Sequence, residues 1–365
     1  MEPVVEIASA ADDAGLRRLM RDIHVPGAIT VAFEREPSFF RAAGIEGDQV
    51  DIVAIRVGDR LVGTGTYARR DMFVNGAVHE VGYMTMARVE SEWRRGRVTP
   101  AAFQYLHQLM NEHGDSWGIT TMMADSSVTR SLLHAPKPFL PEFVPVERIC
   151  TLVIPTWRRR RANEDFAVRA ASEEDLEGIV ACLRRNGARR QFAVAWKAED
   201  FHDQVRTLGL SISDFTVAHD GGRIIGCVAL WDQSAFKQSV IKNYARAIKL
   251  TRGLVNLAAP LLSVPHLPAR GSAFAHAYLS HLAVDDDDQE LTLALLSHAY
   301  GGARDRAIPN LTTGFSERDP RLPAVKAHFG GTAQWSLLCL AVWAGHRDEI
   351  SGIDQRPAHL EIATL

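Results

Sequence analysis

Apolar positions in this chain come in short alternating runs bounded by glycine and acidic turns, then at helical spacing, and the same succession is met twice. Short strands are predicted at 4–8 and 166–170. After the second, Ser172 with Asp175 three residues on forms a capping-box-like helix start. Ile179, Val180, Cys182 and Leu183 carry the amphipathic helix that follows. Residues 51–57 and 60–67 read as two strands around Gly58-Asp59, and 214–218 and 223–231 repeat this around Gly221-Gly222. A third strand ends at Val89 or Val284, with helices predicted over 99–111 and 289–304. A fourth strand (118–123; 310–315) leads in each half to a last helix and a terminal strand pair. The order is mixed α/β.

The two successions align residue by residue. Val5 to Asp12 matches Val168 to Asp175 at an offset of 168 − 5 = 163, and Asp51, Arg60 and Gly63 fall on Asp214, Arg223 and Gly226 at that offset. Gly82 to Val89 then matches Ala277 to Val284 at 278 − 83 = 195, and Thr120-Thr121 matches Thr312-Thr313 at 312 − 120 = 192. Two sustained offsets separated by 195 − 163 = 32 imply a repeated domain whose second copy carries an insertion, placed at about 232–273.

Bulk composition narrows the class. A length of 365 residues suits two domains, and 46% hydrophobic with 23% charged content is that of a globular protein. A net charge of −3 and pI near 6.5 give no global pull toward nucleic acid or an anionic surface, so neither is an expected partner. Cys150, Cys182, Cys227 and Cys339 form no C-x-x-C pair, which argues against a metal site or a disulfide framework. The start Met1-Glu2-Pro3 lacks a secretory pattern, and the most apolar stretch, 254–262, is too short to span a membrane. The expectation is a cytoplasmic protein.

Two motifs carry a resemblance. Val168-Arg169-Ala170 followed by Asp175, and the hairpin pattern from Asp214 to Gly226, resemble the GCN5-related N-acetyltransferase (GNAT) family. The resemblance covers nearly the whole chain as two tandem GNAT-like α/β domains, each a mixed, mostly antiparallel sheet flanked by helices. The boundaries are 1–156, a basic linker at 157–164 containing Arg158 to Arg161, 165–345, and a tail at 346–365. It implies an N-acyltransferase that uses acetyl-CoA as donor and an amine as acceptor, with the first copy holding the coenzyme.

In that family a helix N-terminus after the fourth strand holds the coenzyme's pyrophosphate, because unpaired N–H groups and the positive dipole end face the anion. By resemblance the first copy's site is Met84, Met86 and Val89 on the strand, then Arg94, Arg95, Gly96, Arg97, Val98 and Thr99, with a β-bulge amide near 84–86 polarising the thioester carbonyl. One glycine of the family pattern is missing, and three arginines around Gly96 stand in its place. The second copy has Thr292 for the first glycine, and Asp285 to Asp288 precede its helix. Those carboxylates suit a helix cap and repel a diphosphate.

Family chemistry calls for a base and often a tyrosine acid. Glu80 is the candidate base with His79 as alternate; an exposed strand end is the competing reading. Tyr83 reads as core. His134 stands where the tyrosine would fall and is the candidate acid, against a plain surface role. In the insertion, Lys237, Lys242, Arg246, Lys249 and Arg252 predict a basic amphipathic helix over 236–252, either a solvated face or a surface for an anionic partner. Residues 254–268 are expected to pack on the body. His276 and His281 read as structural. Two other functions stay open: a degenerate acyl-CoA or small-molecule binding protein, and transfer from aminoacyl-tRNA through the basic helix. The acceptor and the oligomeric state are not legible.

Overall fold

The computed structural model describes residues 2–134, 137–157, 166–262 and 264–365. The first half runs β1 (Pro3–Ile7), α1 (Asp13–Asp22), β2 (Ile29–Glu34), α2 (Phe39–Ala43), β3 (Gln49–Val57), β4 (Arg60–Val74), β5 (Ala77–Val89), α3 (Val98–His113), β6 (Trp117–Met123), α4 (Ser127–His134) and β7 (Glu142–Pro155). The second runs β8 (Val168–Ala170), α5 (Leu176–Gly187), α6 (Glu199–His202), β9 (Phe215–Asp220), β10 (Arg223–Trp231), β11 (Gln238–Tyr244), α7 (Arg246–Leu262), β12 (Ala277–Val284), α8 (Gln289–Asp305), β13 (Asn310–Ser316), α9 (Leu322–Phe329) and β14 (Thr332–Val342). The arginine run 158–161 lies outside the described residues.

Local signals set the helix starts. Ser9 with Asp12 and Ser172 with Asp175 both form reciprocal capping boxes, the serine N–H donating to the aspartate at 2.8 Å in each. Arg169 donates to both oxygens of Asp175, which holds that carboxyl well below its usual range. The first hairpin is longer than the alternation indicates: β4 continues to Val74 and turns into β5 through Asn75 and Gly76, both at positive φ.

Twelve strands make one sheet in the order β1-β3-β4-β5-β6-β14-β7-β13-β12-β10-β9-β8. Each half lends its last strand to the other. β14 pairs with β6 of the first half, and β7 lies between β14 and β13 of the second. Alternating side chains feed both faces. Val53 and Ile55 pack with Leu109 and Met110 of α3, whereas Ile52 and Ala54 pack with Leu16 and Leu19 of α1. In the second half Val217 and Cys227 face α5, while Ala218 and Val228 face α8.

The insertion departs from the expected helix. Residues 238–244 form β11, which pairs antiparallel with β2 of the first half from Gln238↔Glu34 to Tyr244↔Ile29. The β-branched Val240-Ile241 pair and Tyr244 suit a strand that finds its partner far away in sequence, which helical spacing of the charges concealed. Lys237 is buried and Lys242 is paired with Glu34 at 2.8 Å, so neither belongs to a solvated basic face. The helix begins at Arg246, and its leucines do not pack on the body: Leu254, Leu257, Leu261 and Leu262 are exposed. Among the described residues no helix is long and apolar enough to cross a membrane.

Candidate active site

β5 and β6 run parallel only from Gly82↔Gly118 to Met84↔Thr120, then part. Where they part, β5 bulges. Thr66 faces Thr85 and Thr64 faces Arg88, so β5 carries one residue more than β4, and Met86 takes a positive φ of 52°. The second half repeats this. β12 and β13 pair only at Ala277↔Leu311 and Tyr278↔Thr312. β12 carries the extra residue between Ser280 and Ala283, and His281 has φ 53°. The two bulges are related by 281 − 86 = 195, the offset of the sequence repeat.

Their surroundings differ. In the second half the segment 358–365 threads into the opening between β12 and β13. Ile362 crosses Gly314 so closely that a Cβ there would lie 2.7 Å from its Cγ2. Glu361 accepts the His281 N–H at 2.7 Å. The His281 ring is walled by Trp196, Phe201, Phe215 and Trp231, and burial pushes its pKa down to about 3. A cavity of about 30 Å³ beside it, lined by residues that include Arg190, Asp287, Arg321, His359 and Glu361, has room for about one water. In the first half, no side chain among the described residues accepts from the Met86 N–H.

The helix starts beyond the bulges also differ. Asp288 caps α8 by accepting from Glu290 and Leu291 N–H groups. Asp285 is bound by Arg185, Asn186 and Arg223, and Asp287 by Arg189 and Arg190. These carboxylates are neutralised in place and leave no cation for a diphosphate. At α3 the N-cap residue is Arg97 and no side chain caps the first turn. Arg94 and Arg95 are exposed, Arg94 Nε donates to Val89 O at 2.9 Å, and Gly96 has φ +96° with open space where a Cβ would stand. The Nε of Arg88 is buried without a hydrogen-bond partner, and burial lowers its pKa to about 10.

Between the bulges lies a buried charged cluster. Arg35, just after β2, points Nη2 at Met86 Sδ (3.3 Å), at Glu46 Oε1 (3.5 Å) and at the main-chain oxygen of Leu365 (3.5 Å). Glu46 Oε2 accepts from Thr66 Oγ1 at 2.7 Å, and Oε1 lacks a hydrogen bond of good geometry. Lys237 Nζ donates to Ala363 O and Leu365 O at 2.9 and 2.7 Å. Arg70 Nη1 donates to Glu46 O and Thr364 Oγ1. Burial raises the Glu46 and Glu361 carboxyls and drives the Lys237 amine well down, the nearby Arg35 adding to the last. Several further nitrogens of Arg35, Arg70 and Arg206 are buried without a partner, so the cluster is under-satisfied in polar terms.

Structures of Saccharomyces cerevisiae N-myristoyltransferase with bound myristoyl-CoA superpose on the chain with TM-scores of 0.63 and 0.64 at 13% identity. They match 93% and 98% of this chain and 82% and 84% of their own. A GCN5-related N-acetyltransferase from Anabaena variabilis superposes with a TM-score of 0.53 at 12% identity, over 93% of this chain and 73% of its own. The chain has a tandem GNAT-like fold. No family model and no curated protein matches the sequence itself.

Within the GNAT-like first half, the expected coenzyme residues gather at one corner. Met84, Met86 and Val89 lie along the diverging strand, Arg94, Arg95, Gly96 and Arg97 lead into α3, and Val98 and Thr99 open it. The expected acid–base residues do not join them. Glu80 is exposed and paired with Arg69 at 2.9 Å, near the start of β5, and His79 beside it is exposed. Met86 lies six positions along the strand from Glu80 (86 − 80 = 6), roughly 20 Å at the usual rise. His134 is exposed at the last residue of α4. Tyr83 is core, its hydroxyl 2.8 Å from Thr121 Oγ1. Arg35, Glu46 and the 358–365 segment carry no expected site role, and Lys237 is expected only on the basic helix of the insertion. Their only signal is charge inside otherwise apolar or turn-rich stretches, and they meet across a separation of 237 − 35 = 202 residues.

Proposed function

We propose that the protein is an N-acyltransferase that draws an acyl group from an acyl-CoA, acetyl-CoA being the simplest donor, and passes it to an amine. The asymmetry of the two bulges carries this reading. One is filled by Glu361 and flanked by neutralised aspartates; the other opens beside the exposed Arg94 and Arg95 and a helix start without a side-chain cap. The bound myristoyl-CoA in the yeast N-myristoyltransferase supports an acyl-CoA donor.

The residues present fit such a molecule. Arg94, Arg95, Gly96 and the first N–H groups of α3 would hold the pyrophosphate, and the buried, unpartnered Nε of Arg88 is a further donor for it. Met84, Met86 and Val89 would line the chain that leads to the bulge. When bound, the coenzyme supplies an activated acyl thioester.

The Met86 bulge amide is the donor available to the carbonyl oxygen as charge develops there. Glu46 is the proton acceptor in this reading, in place of Glu80. It is a buried carboxylate with a raised pKa, joined to Met86 through one guanidinium, and a base raised toward working pH is the more effective one. The Arg35 guanidinium, 3.5 Å away, opposes the desolvation that raises the Glu46 pKa. The acceptor amine would enter between the halves, where Arg35, Glu46 and Lys237 converge.

Transfer through tRNA has less support: of the five cations of the expected basic helix, Lys237, Lys242 and Arg252 are engaged internally, and Arg246 and Lys249 alone are exposed. The test is release of free coenzyme thiol from acetyl-, octanoyl- and myristoyl-CoA in the presence of amine and peptide panels. Thiol release that requires an amine and is lost in Glu46→Gln supports the reading. Absence of release with every donor contradicts it.

A further inference from the structure

The exposed face of α7 is unused by the chemistry above. Leu250, Leu254, Leu257 and Leu261 recur at spacings of 4, 3 and 4, and are 77%, 71%, 82% and 79% exposed, with Leu262 at 61%. The opposite face is fixed. Arg252 and Tyr244 both donate to Pro268 O at 2.9 and 2.8 Å, and Asn256 exchanges two hydrogen bonds with Leu267 at 3.0 and 2.8 Å. Ala259 is fully buried. The leucines are therefore held outward by polar ties on the other side of the helix.

Charge around the stripe has one sign. No acidic residue occurs from Lys237 to Phe274, while Arg246, Lys249 and Arg270 are exposed beside the helix. An apolar stripe whose own segment carries cations and no carboxylate matches an anionic bilayer surface, where leucines enter the acyl boundary and the cations meet lipid phosphates. A second copy fits less well. A two-fold contact along α7 would bring Arg246 and Lys249 of both helices together without a carboxylate to pair them. Gly253 and Pro260 interrupt a helix of only 17 residues, too short for a coiled-coil seam.

We infer that α7 is an interfacial helix that docks the protein on anionic membrane lipid, lying in the surface plane without crossing it. This revises the sequence expectation of no membrane partner, which rested on the near-neutral overall charge and the lack of a spanning run. It stands independently of the proposed chemistry.

The test is co-sedimentation of the full chain with phosphatidylcholine vesicles and with phosphatidylcholine–phosphatidylglycerol vesicles. The expected result is salt-sensitive pelleting with the anionic vesicles only. Leu254→Asp/Leu257→Asp and Arg246→Glu/Lys249→Glu should each weaken it by at least about tenfold, with unfolding midpoints unchanged because all four side chains are exposed. Absence of pelleting overturns the inference. So does pelleting unaffected by either variant, or a dimer in sedimentation velocity that Leu254→Asp/Leu257→Asp converts to monomer.

Discussion

The carboxylate of Glu361 accepts the main-chain N–H of His281 at 2.7 Å, on the bulge whose counterpart in the first half is Met86. One donor of the repeated pair is thus occupied by the protein itself. The segment that brings Glu361 there also supplies Ala363 and Leu365 oxygens to Lys237, so closing the second cleft and building the central cluster are one structural event.

Glu361→Ala should destabilise the fold by about 1–3 kcal/mol, because it strands a buried N–H. Glu361→Gln retains an acceptor oxygen and should cost less. Urea midpoints of the two variants check this, and equal stability of wild type and Glu361→Ala would count against the contact.

Arg35 and Glu46 should be strongly coupled. Removing either partner leaves an uncompensated buried charge, at a cost of about 3–5 kcal/mol, whereas Arg35→Met/Glu46→Met removes both charges and should be far closer to wild type. A double-mutant cycle in unfolding free energy measures the coupling. Additive losses would show that the pair does not act as one.

Stability should fall in mild acid. Burial depresses His281 to about 3 and His359 to about 4 from an ordinary value of 6.5, with Arg206 and Arg190 as the next contributors. The unfolded chain therefore takes up these protons first, so the contribution is complete above about pH 6.5 and is lost as pH falls toward the folded values. Each histidine accounts for about 2 kcal/mol between pH 7 and pH 5. Denaturation midpoints for wild type and His359→Gln at the two pH values check it; the variant should show the shallower fall. A wild-type midpoint that does not drop on acidification would be inconsistent with both shifts.

Because β14 lies between β6 and β7, and β7 between β14 and β13, neither half completes its own sheet. Chains 2–157 and 166–365 expressed separately should each lack a cooperative transition, and should recover one when refolded together. Circular dichroism melts decide this. A cooperative melt of either half alone would mean that the exchanged strand is dispensable.

What the sequence reveals follows locality. The capping box at Ser172, the turns at Gly58 and Gly221, and the helix starts near Thr99 and Gln289 depend on residues within one turn of each other, and the fold has them close to where the pattern indicates. Of the aspartates before α8, Asp288 caps the helix as the local chemistry requires, while Asp285 and Asp287 bind arginines that lie far away in sequence. β11 is hidden because its partner β2 lies some two hundred residues away (238 − 34 = 204 for Gln238 and Glu34), and an edge ribbon leaves little periodic signal. Glu80 shows the converse: it is near the coenzyme corner along the chain, and the strand carries it away from the bulge in space. Arg35, Glu46 and Lys237 come from separate loops and strand ends, where no local rule marks a charge as buried.

Isothermal titration of acyl-CoA into the full chain, with stoichiometry as the readout, tests the central asymmetry most directly. One site per chain is expected, lost in Arg94→Ala/Arg95→Ala and retained in Glu361→Gln. Two sites per chain, or one that survives loss of both arginines, would contradict an open first cleft and a closed second.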